Sequence, residues 1–524
     1  MNMNIYIEAL HSALPRLLSS FNADPTNEFY GAGDRLHWGW KLIDFPNGTF
    51  QGAAHGLAIL IKINELPNTI TEAELLRRMN SMIGGLKSIT ANNGSLDEAL
   101  PGESSFCVTA LVASDVLAAR SLLEDYLSDY EKDEWLEAVR PLIGFLMKQD
   151  EHHGLISNHL ASAALAVYRW YDVTDDKTAE SRGRMWLDRI LDNQSSEGWF
   201  SEYGGADAGY QSWCTTQLAQ LHSLRPDLEL HKPLSKSLSF LTYAAHPDGS
   251  FGGSYGWRNT RFLLPGGVEL LAQEDNNAAA LAEFSQAGIE SNSFVTLDCM
   301  DAGNLVPFFN DYALAALAKH TQEKKVETAV LPCHGNNGRK WFSEAGWLID
   351  SGNQHYSLIN FKRGGACVHF NQEERSVDDP GAVVRDSRGR LFSAQVGEVL
   401  SISERVISDN ELSGQFSLYR VKRPVPGALD FIILRLMSIT IFKSLSLGNL
   451  IKKLLSKYLI TRKSKSAGKV FRKFTLGQNF NIEDSIEGLS DVDILKNIRH
   501  FSAIHMASQG YWQKNDDKLL KGDS

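Results

Sequence analysis

The sequence predicts an α+β chain, with an N-terminal (α/α)6-type helical toroid over residues 1–325 and then an antiparallel β-sandwich-like domain over 326–524 carrying a basic helical insertion at about 429–473. Three observations predict it. A glycine-centred turn signal returns six times in the first part of the chain. Apolar, small-residue stretches with helical spacing follow these signals and alternate with charged amphipathic ones. From about Val326 the period changes to short alternating runs bounded by turn residues.

The turn signal reads FPNGTF at Gly48, NNGSL at Gly94, HHGLI at Gly154, SEGWF at Gly198, PDGSF at Gly249 and DAGNL at Gly303, with spacings of 46, 60, 44, 51 and 54 residues. Glycine supplies the backbone freedom such turns need. The stretches behind them, such as AAHGLAILI, CVTALVASDVLAA, ASAALAVYRW, CTTQLAQL and YALAALA, suit inner helices, which are covered on all sides. Segments such as AELLRRMNSMIGGLKSI and SRGRMWLDRILDN suit outer helices with one wet face. A closed helical barrel needs this alternation, and a plain helical solenoid is the alternative. The strand-like runs are KWFSEAGWLID, HYSLINFKRG, GACVHFNQ, AVVRD, RLFSAQVG, EVLSISERVIS and GQFSLYRVKR, separated by DSRG and SDNELSG.

A chain of 524 residues exceeds one ordinary hydrophobic core, and 43% hydrophobic, 22% charged and 10% aromatic residues describe a globular protein. The first twenty residues carry Glu8 within their apolar stretch and no basic n-region, which predicts no secretory signal and a cytoplasmic location. Cys107, Cys214, Cys299, Cys333 and Cys367 are odd in number, widely spaced and without a CxxC pair, so they read as small interior hydrophobes. No cofactor and no metal site is implied.

Net charge is -11, but residues 431–473 hold eleven Lys or Arg and no Asp or Glu, which leaves about -22 on the remainder. Such an acidic body disfavours nucleic acid as a partner. The insertion, DFIILRLMSITIFKSLSLGNLIKKLLSKYLITRKSKSAGKVFRK, is broken by Arg435 and Lys443 before any run can span a bilayer. Two readings stay open for it: a basic amphipathic helix on the anionic inner membrane, or a helix packed on the protein's own acidic body. The residues after Tyr511 read as a frayed tail.

If every turn precedes an inner helix, the turns share one rim, where a rigid scaffold concentrates function. The rim residues are Asp34, Arg35, His37, Trp38, Trp40 and Lys41; then Glu98 and Glu103; then His152, His153, Asn158 and His159. Further along come Glu202, Tyr203, Asp207 and Tyr210, followed by Tyr255, Trp257, Arg258 and Arg261. Aromatic faces beside carboxylates and Arg suit a sugar chain. The same aromatics also suit packing between hairpins, and Asn158 in SNH also suits a helix cap.

The stretches ISNHLASAALA and GWFSEYGGADAGYQSWCTTQLAQL resemble the heparinase II/III type of polysaccharide lyase. That resemblance implies a toroid joined to a β-sandwich and a carboxylate-neutralising Asn, sometimes beside a His, at Asn158 and His159. It also implies a proton-exchanging Tyr at Tyr203 or Tyr210, and a sandwich His. The family's His-x-His segment is absent after FSEAGWLIDSGNQHYSLINFKRGGACVHF, which leaves His355 and His369 as candidates. The phrases GAGDRLHWGWKLIDFPNGTFQGAAHGLA and RLMSITIF are similar to uncharacterised proteins of bacterial surface-polysaccharide assembly.

The implied chemistry is elimination across a uronic acid. An amide and an imidazolium stabilise the developing enolate, and a phenol with a pKa lowered by Arg258 or Arg261 moves the protons. Trp38, Glu202, Asp207, Trp257, Arg258, Arg261 and His369 complete the expected substrate contacts. The expected partner is an acidic polysaccharide or lipid-linked glycan, met peripheral to the inner membrane if the insertion docks there. C5-epimerisation would use the same parts. A glycoside hydrolase would instead pair Glu98 or Glu103 with Glu202 or Asp207 across the cleft. A non-catalytic glycan-binding or assembly protein is the remaining alternative. QSSEGWF is similar to the Gln-to-Trp repeat of terpene cyclases, but no DxDD motif accompanies it.

Overall fold

The computed structural model describes residues 4–39, 43–151, 154–322, 326–335, 338–422, 425–444, 447–448, 450–451, 465–496, 498–503 and 509–512. Trp40, Lys41, His152, His153, residues 452–464 of the basic insertion and the tail from residue 513 lie outside the described residues.

The inner helices are α3 (Ala54–Lys62), α5 (Phe106–Leu122), α7 (Ser157–Thr174), α9 (Ala208–Leu224), α11 (Pro265–Leu271) and α13 (Ala302–His320). Each packs on the next, and α13 returns to α3, which closes the ring. The outer layer is α1 (Ile5–Leu18), α4 (Glu72–Ile89), α6 (Asp129–Leu146), α8 (Lys177–Asp192), α10 (His231–Leu241) and α12 (Asn276–Ser291); a short α2 (Arg35–Trp38) precedes the first turn. The two layers differ in burial as their sequences predict. Along α7 nearly the whole stretch from Ser157 to Tyr168 is buried, whereas α8 buries only Ala179, Gly183, Trp186, Leu187 and Ile190, one stripe at helical spacing.

Four of the six glycine turns are left-handed, at Gly94, Gly154, Gly198 and Gly249. Gly48 opens a short 3-10 turn and Gly303 lies inside α13 behind the cap Asp301, so the sixth signal is a helix start rather than a turn. Neighbouring turns are stitched together. Gly48 N–H donates to Asp97 O, Ser157 N–H to Ser201 O and Trp257 N–H to Ala206 O.

Two antiparallel sheets follow. The first is a meander of β1 (Gly338–Phe342), β2 (Trp347–Gly352), β3 (His355–Asn360), β4 (Ala366–Asn371) and β5 (Glu374–Asp379). The second holds β6 (Val383–Asp386), β7 (Leu391–Ser393), β8 (Val399–Ile402), β9 (Glu411–Arg420), β10 (Gly468–Thr475), β11 (Asn481–Glu487) and β12 (Val492–Ile494), in the order β11-β10-β9-β7-β6-β12 with β8 also on β9. Side chains alternate between faces along a strand, and the first sheet buries both. Trp347, Ile349, Tyr356, Leu358, Val368 and Phe370 join the core of the toroid. Leu348, Ile359 and Cys367 join Phe392, Phe416, Val470 and Phe474 in a core between the sheets.

α14 (Ala428–Ile439) lies in the connection between β9 and β10, which pair directly with Phe416 opposite Val470. No described helix is long and apolar enough to cross a membrane. The cysteines are free thiols, Cys214 and Cys367 buried and the other three half-buried.

Candidate active site

Asn158 and His159 open α7 directly behind the Gly154 turn, on the rim side of the ring. The helix cap position is Ile156 and no side chain caps there. Asn158 is therefore not a cap. Its amide Nδ2 donates to Glu202 Oε2 at 2.7 Å, and both residues are buried. Successive helical residues point about 100° apart, and His159 accordingly turns to other partners. Its Nδ1 lies 2.6 Å from Glu151 Oε2, and Cys107, at the start of α5, is close enough to influence the same ring. The expected side-by-side Asn and His grip on one ligand is thus divided between two neighbours.

Burial opposes a charge on His159, but Cys107 and the Glu151 carboxylate outweigh it and hold the imidazole well above its ordinary value. Glu202 shows the opposite balance. Burial, aided by Asp207, raises its carboxyl from 4.5 to about 7 against the pull of Arg258, His159 and Asn158. Near neutral pH Glu202 therefore exchanges a proton readily.

The fourth turn positions Glu202 through a tight bend. Glu202 bridges to Ile156 on one side and Gly205 on the other, and Tyr203 between them adopts φ 54°. A bulky residue in the left-handed region costs roughly 1 kcal/mol or more and persists only where its surroundings enforce it. The strain aims Tyr203 at Arg258. The Arg258 guanidinium lies 4.5 Å from the Tyr203 ring centroid and 5.3 Å from that of Tyr210, with Nη1 4.0 Å from Glu202 Oε1. Its Nε is buried and has no hydrogen-bond partner among the described residues. Tyr210 stacks on Trp213, one helical turn along α9, at 6.4 Å.

The structure thus brings Asn158, Glu202, Tyr203, Tyr210 and Arg258 together, with His159 at the edge. Other expected contacts go elsewhere. Asp207 is buried and fully used as a bracket: it caps α9 through Tyr210 N at 3.2 Å, accepts Arg258 N–H at 2.7 Å and takes the Thr260 hydroxyl. Arg261 turns to the first sheet, where it pairs with Asp378 at 2.9 Å. Trp257 lies across the backbone of Gly205, where a Cβ would meet its ring at 2.2 Å. The Trp38 indole donates to Ser20 O at the end of α1.

His369 is on the face of β4 turned from the toroid, because its neighbours Val368 and Phe370 take the toroid face. There it meets Ser357 Oγ at 2.8 Å, stacks on Phe480 at 4.6 Å, and is lowered to about 4 chiefly by burial. His355 pairs with Asp350 at 3.0 Å on the same sheet. Of the carboxylates suited to hydrolysis, Glu103 accepts the backbone N–H groups of Glu98, Ala99 and Leu100, which leaves Glu98, itself holding Ser105 Oγ.

Two site residues escaped the sequence reading. Trp213 is three residues beyond Tyr210 and could have been found by helical spacing. Glu151 had no signal, since only the fold buries it beneath His159. A pocket in the lumen below the rim, lined by His55, Asp115, Trp213, Thr216, Asn310 and Asp311, has about 30 Å³ of space, room for about one water molecule. Among the described residues, no group of three or more His, Cys, Asp and Glu could hold a metal ion.

No protein-family model matches the sequence, and neither does any curated protein. Solved structures do match. The chondroitin AC lyase of Streptomyces coelicolor A3, in complex with chondroitin sulphate, aligns at a TM-score of 0.51 with 11% identity, over 80% of this chain and 67% of that one. Heparinase III aligns at 0.50 with 12% identity, over 93% of this chain and 72% of that one. The chain has the toroid fold of polysaccharide lyases. An endoglucanase from the termite Nasutitermes takasagoensis aligns over 56% of this chain at a TM-score of 0.35, too weakly to bear on the lyase-type toroid described above.

Proposed function

We propose that this protein acts on an acidic polysaccharide by β-elimination at a uronic acid, in the production of a surface polysaccharide. The observation that carries the reading is the Arg258 guanidinium set against both Tyr203 and Tyr210, beside the buried Asn158 and Glu202. Removing the proton next to a carboxylate is unfavourable until the carboxylate charge is offset. Asn158 can turn its amide from Glu202 to the substrate carboxylate, and Glu202, once protonated, can donate there as well. A second negative charge at that point would favour the protonated form further.

Tyr210, or Tyr203 beside it, takes the C5 proton as a phenolate that Arg258 stabilises. The C4–O bond then breaks, its electrons stay with the leaving oxygen, and a C4=C5 double bond forms from the enolate. The phenol returns its proton to the leaving oxygen, so the enzyme ends as it began. Returning the proton to the opposite face of C5 instead would give epimerisation, with the same residues.

The test is ultraviolet absorbance of the unsaturated uronate during incubation with a panel of acidic polysaccharides. Wild type should give a rise that Asn158→Ala, Tyr210→Phe and Arg258→Ala reduce by about 100-fold or more. Flat absorbance with deuterium entering C5 from solvent would mean epimerisation. New reducing ends without absorbance would favour hydrolysis through Glu98 and Glu202. Binding without any reaction would favour a glycan-binding assembly protein. A lipid-linked glycan at the inner membrane is the form of substrate most consistent with the basic insertion.

A further inference from the structure

α14 is built inside out. Leu429, Ile432, Ile433, Leu436 and Ile439 recur at helical spacing on one face and, with Phe431, are 53% to 74% exposed. The helix has no buried residue. Its polar contact points inward: Arg435 pairs with Asp44 and lies 5.7 Å from the Phe45 ring centroid. Just beyond the helix Phe442 is buried, near the loop at Gly102. α14 is thus clamped to the loops of the first two toroid turns by its inner side, while its apolar stripe faces solvent. A helix seeking to cover itself on its own body would be turned the other way.

We infer that the outward face of α14 docks on an anionic lipid bilayer, lying flat in the interface, and so brings the toroid rim to the membrane surface. Charge selects this occupant. Of the eleven cations between residues 431 and 473, Arg435 pairs inward with Asp44 and Lys469, Arg472 and Lys473 belong to β10; residues 440–467, which follow α14 directly, carry the other seven and no carboxylate, against about -18 on the rest of the chain. A second copy placed by two-fold symmetry would set one basic insertion against another, whereas an anionic leaflet attracts the insertion and accepts the apolar stripe. Arg435 and Lys443 keep the segment from spanning the bilayer. That the rim then works on a membrane-held glycan rests on the proposed elimination; the docking itself does not.

The experiment is co-sedimentation of the full chain with vesicles of phosphatidylcholine alone or with 30 mol%, about a third, of phosphatidylglycerol. Wild type should bind the anionic vesicles, weakly at high salt, and stay in solution with neutral ones. The triple variant Leu429→Ser, Ile433→Ser, Leu436→Ser should lower partitioning by about tenfold or more. All three side chains are exposed, so its thermal unfolding should match wild type. Equal sedimentation of variant and wild type, or no binding by wild type, would overturn the inference. So would a dimer in solution, without lipid, that the triple variant dissociates. Absorbance assays on soluble polysaccharide separate the two readings: the triple variant should keep wild-type elimination while losing vesicles, and absence of elimination with vesicle binding intact would count only against the chemistry.

Discussion

Glu202→Gln tests the charge balance on which the proposed chemistry depends. In the folded chain the carboxyl sits at about 7, against 4.5 for the free group, because burial outweighs Arg258, His159 and Asn158. The folded state holds this proton more tightly than the unfolded state. Stability from Glu202 is therefore fully present below about 4.5 and is lost as the pH rises to about 7. At about 1.4 kcal/mol per pKa unit the loss amounts to about 3 kcal/mol. Gln has the shape of the protonated acid, can still accept the Asn158 amide, and does not titrate. Relative to wild type, Glu202→Gln should therefore gain about 3 kcal/mol of unfolding free energy between pH 4.5 and pH 8, whatever constant offset it carries. Denaturant titrations of both proteins at several pH values measure that difference. A stability difference that does not change with pH would refute the reasoning and leave Glu202 a simple buried anion.

Three further substitutions probe how the site is held. Asp378→Asn removes the buried negative charge that Arg261 and Arg375 share at 2.9 and 3.1 Å, leaving Arg375 its pair with Asp248 at 2.9 Å, and should cost about 3–5 kcal/mol in thermal or denaturant unfolding. The two arginines, working against burial, hold Asp378 well below the ordinary carboxylate range. Its stabilisation is present above the unfolded-state value and lost as pH falls towards the folded one, so the variant should unfold with a flatter acid limb. Gly85→Ala should destabilise by about 2–3 kcal/mol, since a Cβ there would lie 2.4 Å from the backbone of Gly31 and Ala32. Gly84→Ala, one residue earlier in α4 with nothing within 4 Å, should instead stabilise by about 0.5–1 kcal/mol. Melting the two side by side checks the placement of α4 against the loop ahead of α2.

Much of the ring was legible because its signal is periodic. Inner and outer helices bury different fractions of their surface, so composition and spacing alone separate α7 from α8. Antiparallel strands likewise announce themselves by alternation, although the first sheet, buried on both faces, reads as apolar runs such as WLID. Gly303 misled because a glycine behind an Asp cap looks like a turn glycine until the helix geometry is seen. The site was legible as a set of rim residues and not as an arrangement. Asn158 reads equally well as a cap or a ligand, and only the start of α7, with its cap position at Ile156, excludes the cap.

What the sequence alone determined is therefore local: which stretches are helices or strands, which face each presents, and the concentration of cations in one insertion. Tertiary structure decided which faces meet. It took Arg261 and Asp207 out of the expected substrate contacts by giving them buried partners, and turned His369 from the toroid by strand alternation. It also set Arg258 between two tyrosines and pointed the stripe of α14 outward. Periodicity records a residue's environment along its own element, whereas these pairings join residues tens to hundreds of positions apart, and they exist only once the ring has closed and the sheet has packed against it.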